Sequence, residues 1–183
     1  GAYDTIMAIS EAAAKAFCKT FQNLGSKVAV MENILPQSFI LRQAEEYCEL
    51  NDKSLTLLSI GRFCTAKNFD NVPYICRYLI EMELNVKWYL IGYGNDEELI
   101  RSRIRETKME DRVIILGKKS NPYPYIKACD LYVQPSRYEG KCVAVKEAQL
   151  LGKPVVITNY ATSSSQLKNG TDGIIVPLDN KKC

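Results

Sequence analysis

Four side chains in this sequence have types and spacings that could do chemistry. Arg62 and Lys67 lie in the stretch GRFCTAKN, which opens with Gly61. Glu139 and Glu147 stand eight apart in RYEGKCVAVKEAQLLGKPVV (137–156), the first beside Gly140 in a loop, the second within a helical pattern. Two cations are natural partners for phosphate, which they hold by charge-assisted hydrogen bonds. The amides that open a helix after Gly140 add N–H donors at the positive end of its dipole. Carboxylates near phosphate are unfavourable unless they accept from hydroxyls, so the complement of the two glutamates is a sugar or ribose. Each residue also has a structural reading. Arg62 and Lys67 could be solvated loop charges, Glu139 a first-turn acid favouring the dipole, and Glu147 a helix residue facing water. Choosing between these readings requires placing the residues in a fold.

Composition narrows the field first. With 183 residues, 46% of them hydrophobic and 25% charged, the chain can form one domain with a core, or a domain plus an appendage. A net charge of +3 does not mark a nucleic-acid binder. Histidine is absent, which removes the commonest general base, the commonest metal ligand and the Ser-His and Cys-His nucleophile systems. The seven cysteines (Cys18, Cys48, Cys64, Cys76, Cys129, Cys142 and Cys183) are odd in number and include no C-x-x-C pair. Neither a zinc site nor a redox dithiol is expected; they read as small buried hydrophobes in a reduced, cytoplasmic setting. No apolar run approaches the ~20 residues of a membrane span, and no signal peptide is expected.

From residue 54 onward the pattern repeats strand, turn, helix. Six short runs are nearly continuous in β-branched, aliphatic and aromatic residues: 55–61, 86–92, 112–117, 130–136, 154–160 and 173–178. Continuity rather than alternation is the mark of parallel strands buried on both faces. Helical patterns separate them at 68–84, 95–109, 122–129 and 140–151, the last ended by Gly152 and Pro154. Alternating β and α units predict a doubly wound parallel sheet, Rossmann-like, in the order 3-2-1-4-5-6. The first fifty residues read differently, as strand (4–10), helix (11–24, capped by Ser10), strand (26–35) and a helix (37–50) opened by Pro36. That tract is too small for a domain of its own and reads as the tail of a preceding one, while the end at LDNKKC falls where a further helix is expected.

In an open α/β sheet, ligands bind beyond the carboxyl ends of the strands at the point where strand order reverses. The predicted order puts the loops GRFCTAKN and PSRYEGKC on either side of that crevice. One place then collects two cations, a helix start and a pair of carboxylates, and the ligand they describe is a nucleotide or nucleotide-sugar. The motif at Gly92 and Gly94 follows the second strand, so it fails as a dinucleotide fingerprint; a strand-end turn and a role in letting a ligand approach both remain open for it.

The series SIGRFCTAKN, YLIGYGND, DRVIILGKK, PSRYEGKCVAVKEAQLLGKPVVITNY and NGTDGIIVPLD resembles the donor-binding, C-terminal half of retaining group 1 (family 4) glycosyltransferases of the two-Rossmann-domain GT-B build. The likeness covers about residues 54–180 and runs through every loop in order. It implies roles residue by residue. Gly61, Arg62 and Lys67 would hold the donor diphosphate, and Glu139, Arg62 and Lys67 would be the catalytic set. Glu139 would lie near the donor sugar and Glu147 would accept from the ribose. Gly140, Lys141, Cys142 and Val143 would form the turn whose amides face sugar and phosphate, and Gly117 and Lys118 would flank the base.

The resemblance further implies transfer with retention from a nucleotide-sugar, UDP-linked on family frequency. The acceptor would be a glycan or lipid-linked sugar in bacterial surface-polysaccharide, capsule or lipopolysaccharide synthesis. No metal or other cofactor and no nucleic acid would be needed, and the full enzyme could sit peripherally at the inner face of a membrane. On this reading residues 1–50 are the end of an acceptor half and the crossover, residues 51–183 are the donor domain short of its final helix, and the piece alone turns over nothing. The sequence departs from the family pattern at Lys141 and Cys142, where an aromatic and a glycine are common, at Asn68, where a glycine is common after the lysine, and at NYATSSSQL, where a glycine pair is common. Ser163 to Ser165 are expected to cap a short helix there, the alternative being that their amides touch phosphate. Two rival readings are a nucleotide-sugar epimerase of the same build and a non-catalytic nucleotide-binding module.

Overall fold

A computed structural model describes residues 4–31, 34–50 and 53–178. A small unit comes first: strand β1 (Ile6–Ala8), helix α1 (Glu11–Thr20), strand β2 (Val28–Val30) paired parallel to β1, and helix α2 (Gln37–Gln43). The Ser10 hydroxyl accepts from the Ala13 amide at 3.1 Å, the expected cap of α1. Two expected spans are corrected here. Helix α1 stops at Thr20 and gives way to a 3-10 turn at Gln22–Lys27. Helix α2 stops at Gln43 instead of running to residue 50, and beyond it Cys48 and Leu50 pack against the core that includes Ile126 of α5.

The main sheet contains β3 (Leu55–Ile60), β4 (Val86–Ile91), β5 (Val113–Gly117), β6 (Leu131–Gln134), β7 (Val155–Thr158) and β8 (Ile174–Val176). All pairings are parallel and the spatial order is β5-β4-β3-β6-β7-β8, the order expected from the sequence. Connecting them are α3 (Val72–Glu81), α4 (Glu97–Thr107), α5 (Tyr123–Ala128) and α6 (Val143–Leu150). Successive strand residues point to opposite faces, so Leu57 and Leu58 are both buried yet belong to different cores. Leu57 packs with Phe63, Phe69, Val72, Trp88 and Ile100 on the α3–α4 side. Leu58 packs with Ile126, Tyr132, Val145, Ala148 and Ile157 on the α5–α6 side.

Two helix starts also differ from expectation. Asn68 takes a left-handed conformation (φ 59°) that no helix can pass through, Phe69–Asn71 form a 3-10 turn, and helix α3 begins only at Val72. Helix α6 begins at Val143, which leaves Glu139 in the loop before it with no helical phase relation to Glu147. The C-terminal segment expected to lead into a further helix (179–183) lies outside the described residues.

The motif at Gly92 and Gly94 is a backbone interlock. A Cβ on Gly92 would stand 1.9 Å from the Gly61 carbonyl oxygen, and one on Gly94 would stand 2.2 Å from that of Phe63. Both glycines also hold φ near +155°, a region open in practice only to glycine. Their backbone must therefore run against the loop after β3, which gives both glycines a structural reason, although Gly92 also lines a cleft at this edge. Gly92→Ala is expected to lower unfolding free energy by more than about 2 kcal/mol. Gly170→Ala, at φ 77° with open space around it, should cost only about 1–2 kcal/mol. Urea denaturation of the two variants measures the difference, and equal losses would show that the close approach is not the cause.

Candidate functional site

Strands β3 and β6 are neighbours, so the loops that leave them emerge side by side at the carboxyl edge. Side chains then join the loops. Arg137 forms a two-pronged ion pair with Asp70, 2.9 Å on each arm, and donates to the Thr65 carbonyl at 2.8 Å. The Arg137 amide reaches the Ala66 carbonyl at 2.8 Å. Asn68 donates from its side chain to the Pro135 carbonyl at 2.9 Å, and Asn71 donates to Asn68 at 2.7 Å. The asparagine that stands where glycine is common keeps the left-handed turn and adds a tie between the loops.

These ties bring Lys67 and Glu139 together. The Lys67 ammonium lies 2.5 Å from Glu139 Oε1, with the two side chains 18% and 10% exposed. The Ser136 hydroxyl donates to the same oxygen at 2.7 Å, and Thr162 donates to the Glu139 carbonyl at 2.7 Å. Gly61 matters for space: a Cβ there would meet Lys67 Cε at 3.0 Å and Cδ at 3.2 Å. The lysine stem therefore lies across this glycine on its way to the carboxylate.

Arg62 points elsewhere. It is exposed and, with Gly61, Tyr93, Lys118, Lys119 and Pro122, lines a cleft of about 260 Å³ beyond β3, β4 and β5. The Lys118 ammonium lies 5.3 Å from the centre of the Tyr93 ring, a cation–π contact on the cleft wall. Gly117, at φ 70°, accepts from the Gly92 amide at 3.0 Å through its carbonyl. The cations expected to act together thus divide, with Lys67 on the carboxylate and Arg62 and Lys118 on the cleft.

The turn into α6 is more engaged than its sequence implied. The Cys142 amide donates to Gln166 Oε1 at 3.1 Å, the Gln166 side-chain amide donates back to the Cys142 carbonyl, and Tyr160 donates to the same Oε1 at 2.8 Å. Cys142 packs into the α5–α6 core, where burial pushes its thiol up to about 11. Its side chain therefore does not obstruct the face where a ligand would meet the backbone. Lys141 is also largely buried. Val143 opens α6, and no side chain caps that helix. A Cβ on Gly140 would lie 3.2 Å from Ile9 Cδ1, so the leading unit touches this loop. Ser163 to Ser165 do not cap a helix as expected. They form a 3-10 turn, and the Ser165 hydroxyl donates to the Thr162 carbonyl at 2.7 Å.

Glu147 sits on α6, its carboxylate accepting from the Tyr123 hydroxyl at 3.2 Å. Burial raises its pKa, and the Tyr123 bond opposes that shift. Phe39 of α2 meets the Tyr123 ring edge-on at 6.4 Å. Sequence reasoning had given no role to Asp70, Tyr123, Gln134, Arg137 or Gln166. Arg137 lay inside the motif, but its partner is 67 positions away and no local pattern announces that distance. Among the described residues no group of three or more His, Cys, Asp or Glu side chains could hold a metal. No helix there is long and apolar enough to cross a membrane. The six described cysteines are free thiols.

Comparison with known proteins gives a consistent picture. Residues 44–182 match the family described as Glycosyl transferases group 1. A Campylobacter jejuni N-acetylgalactosamine-N,N'-diacetylbacillosaminyl-diphospho-undecaprenol 4-alpha-N-acetylgalactosaminyltransferase is 25% identical over 97% of this chain and 48% of its own length. An Escherichia coli UDP-Gal:alpha-D-GlcNAc-diphosphoundecaprenol alpha-1,3-galactosyltransferase is 27% identical over 74% of this chain and 36% of its own. The chain thus spans half or less of these relatives. Among solved structures, a variant of S. aureus TarM in complex with UDP and other ligands superposes with a TM-score of 0.82 at 18% identity, over 97% of this chain and 34% of that one. Anabaena Alr3699/HepE in complex with UDP and glucose gives 0.79 at 20% identity, over 95% and 49%. At such identities the structures speak for the fold, which is the Rossmann-like half of the GT-B build.

The buried glutamate yields a test of its own. Because burial raises the folded-state pKa of Glu147 above its unfolded value, its contribution favours folding below the unfolded pKa, near 4, and is lost as pH rises through the folded value. Glu147→Gln should therefore raise the melting temperature at pH 7, with the gain shrinking toward pH 4. Thermal melts across that range measure it, and a loss of stability at pH 7 would contradict the assignment.

Proposed function

Since this chain belongs to the group 1 glycosyl transferases, we propose that its cleft binds the nucleotide-sugar donor, a UDP-sugar, for retaining hexosyl transfer to a glycan or lipid-linked acceptor in bacterial surface-polysaccharide synthesis. The observation that carries this reading is the convergence of Lys67 and Glu139 at the switch point between β3 and β6, beside the cleft edged by Arg62 and Lys118. UDP bound in the S. aureus and Anabaena structures, and UDP-Gal in the name of the E. coli relative, supports the choice of base.

The roles follow from charge and position. Bond breaking at the anomeric carbon leaves negative charge on the departing diphosphate. Arg62 and the uncapped start of α6 at Val143 are positive partners for that charge, and Lys67 joins them once the donor is bound. Lys67 must turn from Glu139 to reach the phosphate, and the donor's own hydroxyls then replace it on the carboxylate. Glu139 serves the sugar end, with Gly140 allowing close approach, and Glu147 accepts from the ribose. Gly117, Lys118 and the Tyr93 wall receive the base. Two side-chain cations balance the diphosphate without a metal. With half or less of the relatives' length present, the chain is expected to bind donor but not to turn it over. The diphospho-undecaprenol in the relatives' names supports an acceptor presented at the inner membrane surface.

Calorimetric titration with UDP, GDP and ADP, with and without magnesium, tests the reading. We expect a preference for UDP with Kd of ~0.1–1 mM, unchanged by magnesium. Arg62→Ala should weaken binding about tenfold with little change in stability, since removing a charge-assisted contact costs ~1.5–3 kcal/mol. Glu147→Gln should weaken it similarly while the protein becomes more stable. No heat with any nucleotide from folded protein would overturn the proposal.

A further inference from the structure

The hydrogen bonds beneath Glu139 form one directed chain. The Tyr132 hydroxyl donates to Gln134 Oε1 at 2.8 Å, Gln134 Nε2 donates to the Ser136 hydroxyl at 2.9 Å, and that hydroxyl donates to Glu139 Oε1 at 2.7 Å. Tyr132, Gln134 and Ser136 are all 0% exposed. They alternate along β6 and its exit, so their side chains share one face. The backbone that carries them is pinned as well: Ser59 donates to the Val133 carbonyl at 2.6 Å, and Thr158 to that of Ser136 at 2.5 Å. Trp88 in turn donates to Ser59 at 2.9 Å.

Each step of the chain has a forced direction. Burial holds the Tyr132 phenol protonated, its pKa well above the ordinary value. The Glu139 carboxylate can only accept, so the Ser136 hydrogen is committed to it and the amide atom facing Ser136 must be the donor Nε2, which leaves Oε1 to accept from Tyr132. Gln134 Nε2 must then face Ser136. A serine hydroxyl has one hydrogen; having accepted from Gln134, it turns that hydrogen to Glu139.

We propose that Tyr132 and Gln134 are positioning residues that act through Ser136 to fix which oxygen of Glu139 meets the donor sugar. Ser136 and Lys67 both take Oε1, so Oε2 is the oxygen presented to the sugar. The arrangement also solves a problem that the donor-binding reading creates, and it rests on that reading. When Lys67 swings to the diphosphate, Glu139 loses one of its two partners. The Ser136 bond, backed by two buried residues, keeps the carboxylate in place while the lysine is away.

The experiment compares UDP with UDP-glucose, UDP-galactose, UDP-N-acetylglucosamine and UDP-N-acetylgalactosamine by calorimetry, on wild type, Tyr132→Phe, Gln134→Leu, Glu139→Gln and the Gln134→Leu/Glu139→Gln double variant. Tyr132→Phe removes only a hydroxyl and keeps the ring volume, so it guards against a misfolded Gln134→Leu. In both relay variants UDP affinity should stay within about twofold of wild type, while the affinity gained from the sugar falls about fivefold. In the double variant Gln134→Leu should subtract nothing beyond Glu139→Gln. Equal weakening of UDP and UDP-sugar, or independent effects in the double variant, would overturn the proposal, as would a wild type that gains nothing from any of the four sugars. If no nucleotide binds at all, the donor-binding reading fails, and the ¹⁵N signal of the Lys67 ammonium tests the relay separately. A shifted or broadened signal in Tyr132→Phe and Gln134→Leu supports it, and an unchanged one in both overturns it.

Discussion

Everything at the carboxyl edge depends on the neighbour relation between β3 and β6. Right-handed crossovers carry the chain outward from β3 through β4 to β5, then back across the sheet to β6 on the other side. Only at that reversal do two loops from distant parts of the chain leave the sheet with no helix between them. A lysine from one and a glutamate from the other can then meet at 2.5 Å although 72 residues separate them. The pair is a product of topology before it is a product of local sequence.

A polar cluster at the end of a hydrophobic sheet is costly unless each group is partnered. This structure meets the requirement closely. Among the described residues no buried side-chain nitrogen or oxygen lacks a hydrogen-bond partner, although Ser59, Asn68, Gln134, Ser136, Thr158 and Gln166 are all deeply buried near the site. Several of them donate to backbone carbonyls of 133–136 and 142. Peptide groups that leave the sheet ladder at a strand's end thus find side-chain partners instead of water. The cost of burial stays visible at Glu147, whose desolvation is only partly relieved by Tyr123.

The sequence carried the sheet almost completely, because continuous runs such as LTLLSI and VKWYLI leave no exposed face on which another arrangement could rest. Helix starts were less legible. The helices expected from residues 68 and 140 in fact begin four and three residues later, at Val72 and Val143, since a left-handed residue or a loop held by tertiary bonds leaves no periodic trace. That the loops carrying Lys67 and Glu139 share one crevice followed from strand order, but the ion pair between the two did not. The Arg137–Asp70 clamp, the Gln166 grip on Cys142 and the Tyr123 contact to Glu147 could not, because each joins residues 24 or more apart whose types are ordinary loop and helix residues.

The glycine interlock bears on how such a site can diversify. Gly92 and Gly94 press their backbone against Gly61 and Phe63 so closely that neither glycine has room for a side-chain carbon. The loops after β3 and β4 are therefore keyed together like two cut edges, and neither can lengthen or change course without the other. Variation in ligand preference is channelled to what projects from the key: the half-exposed Tyr93 ring and the Lys118–Lys119 wall opposite it. A rigid floor with exchangeable furniture lets descendants of one fold change the wall of the cleft while the backbone beneath it keeps its course.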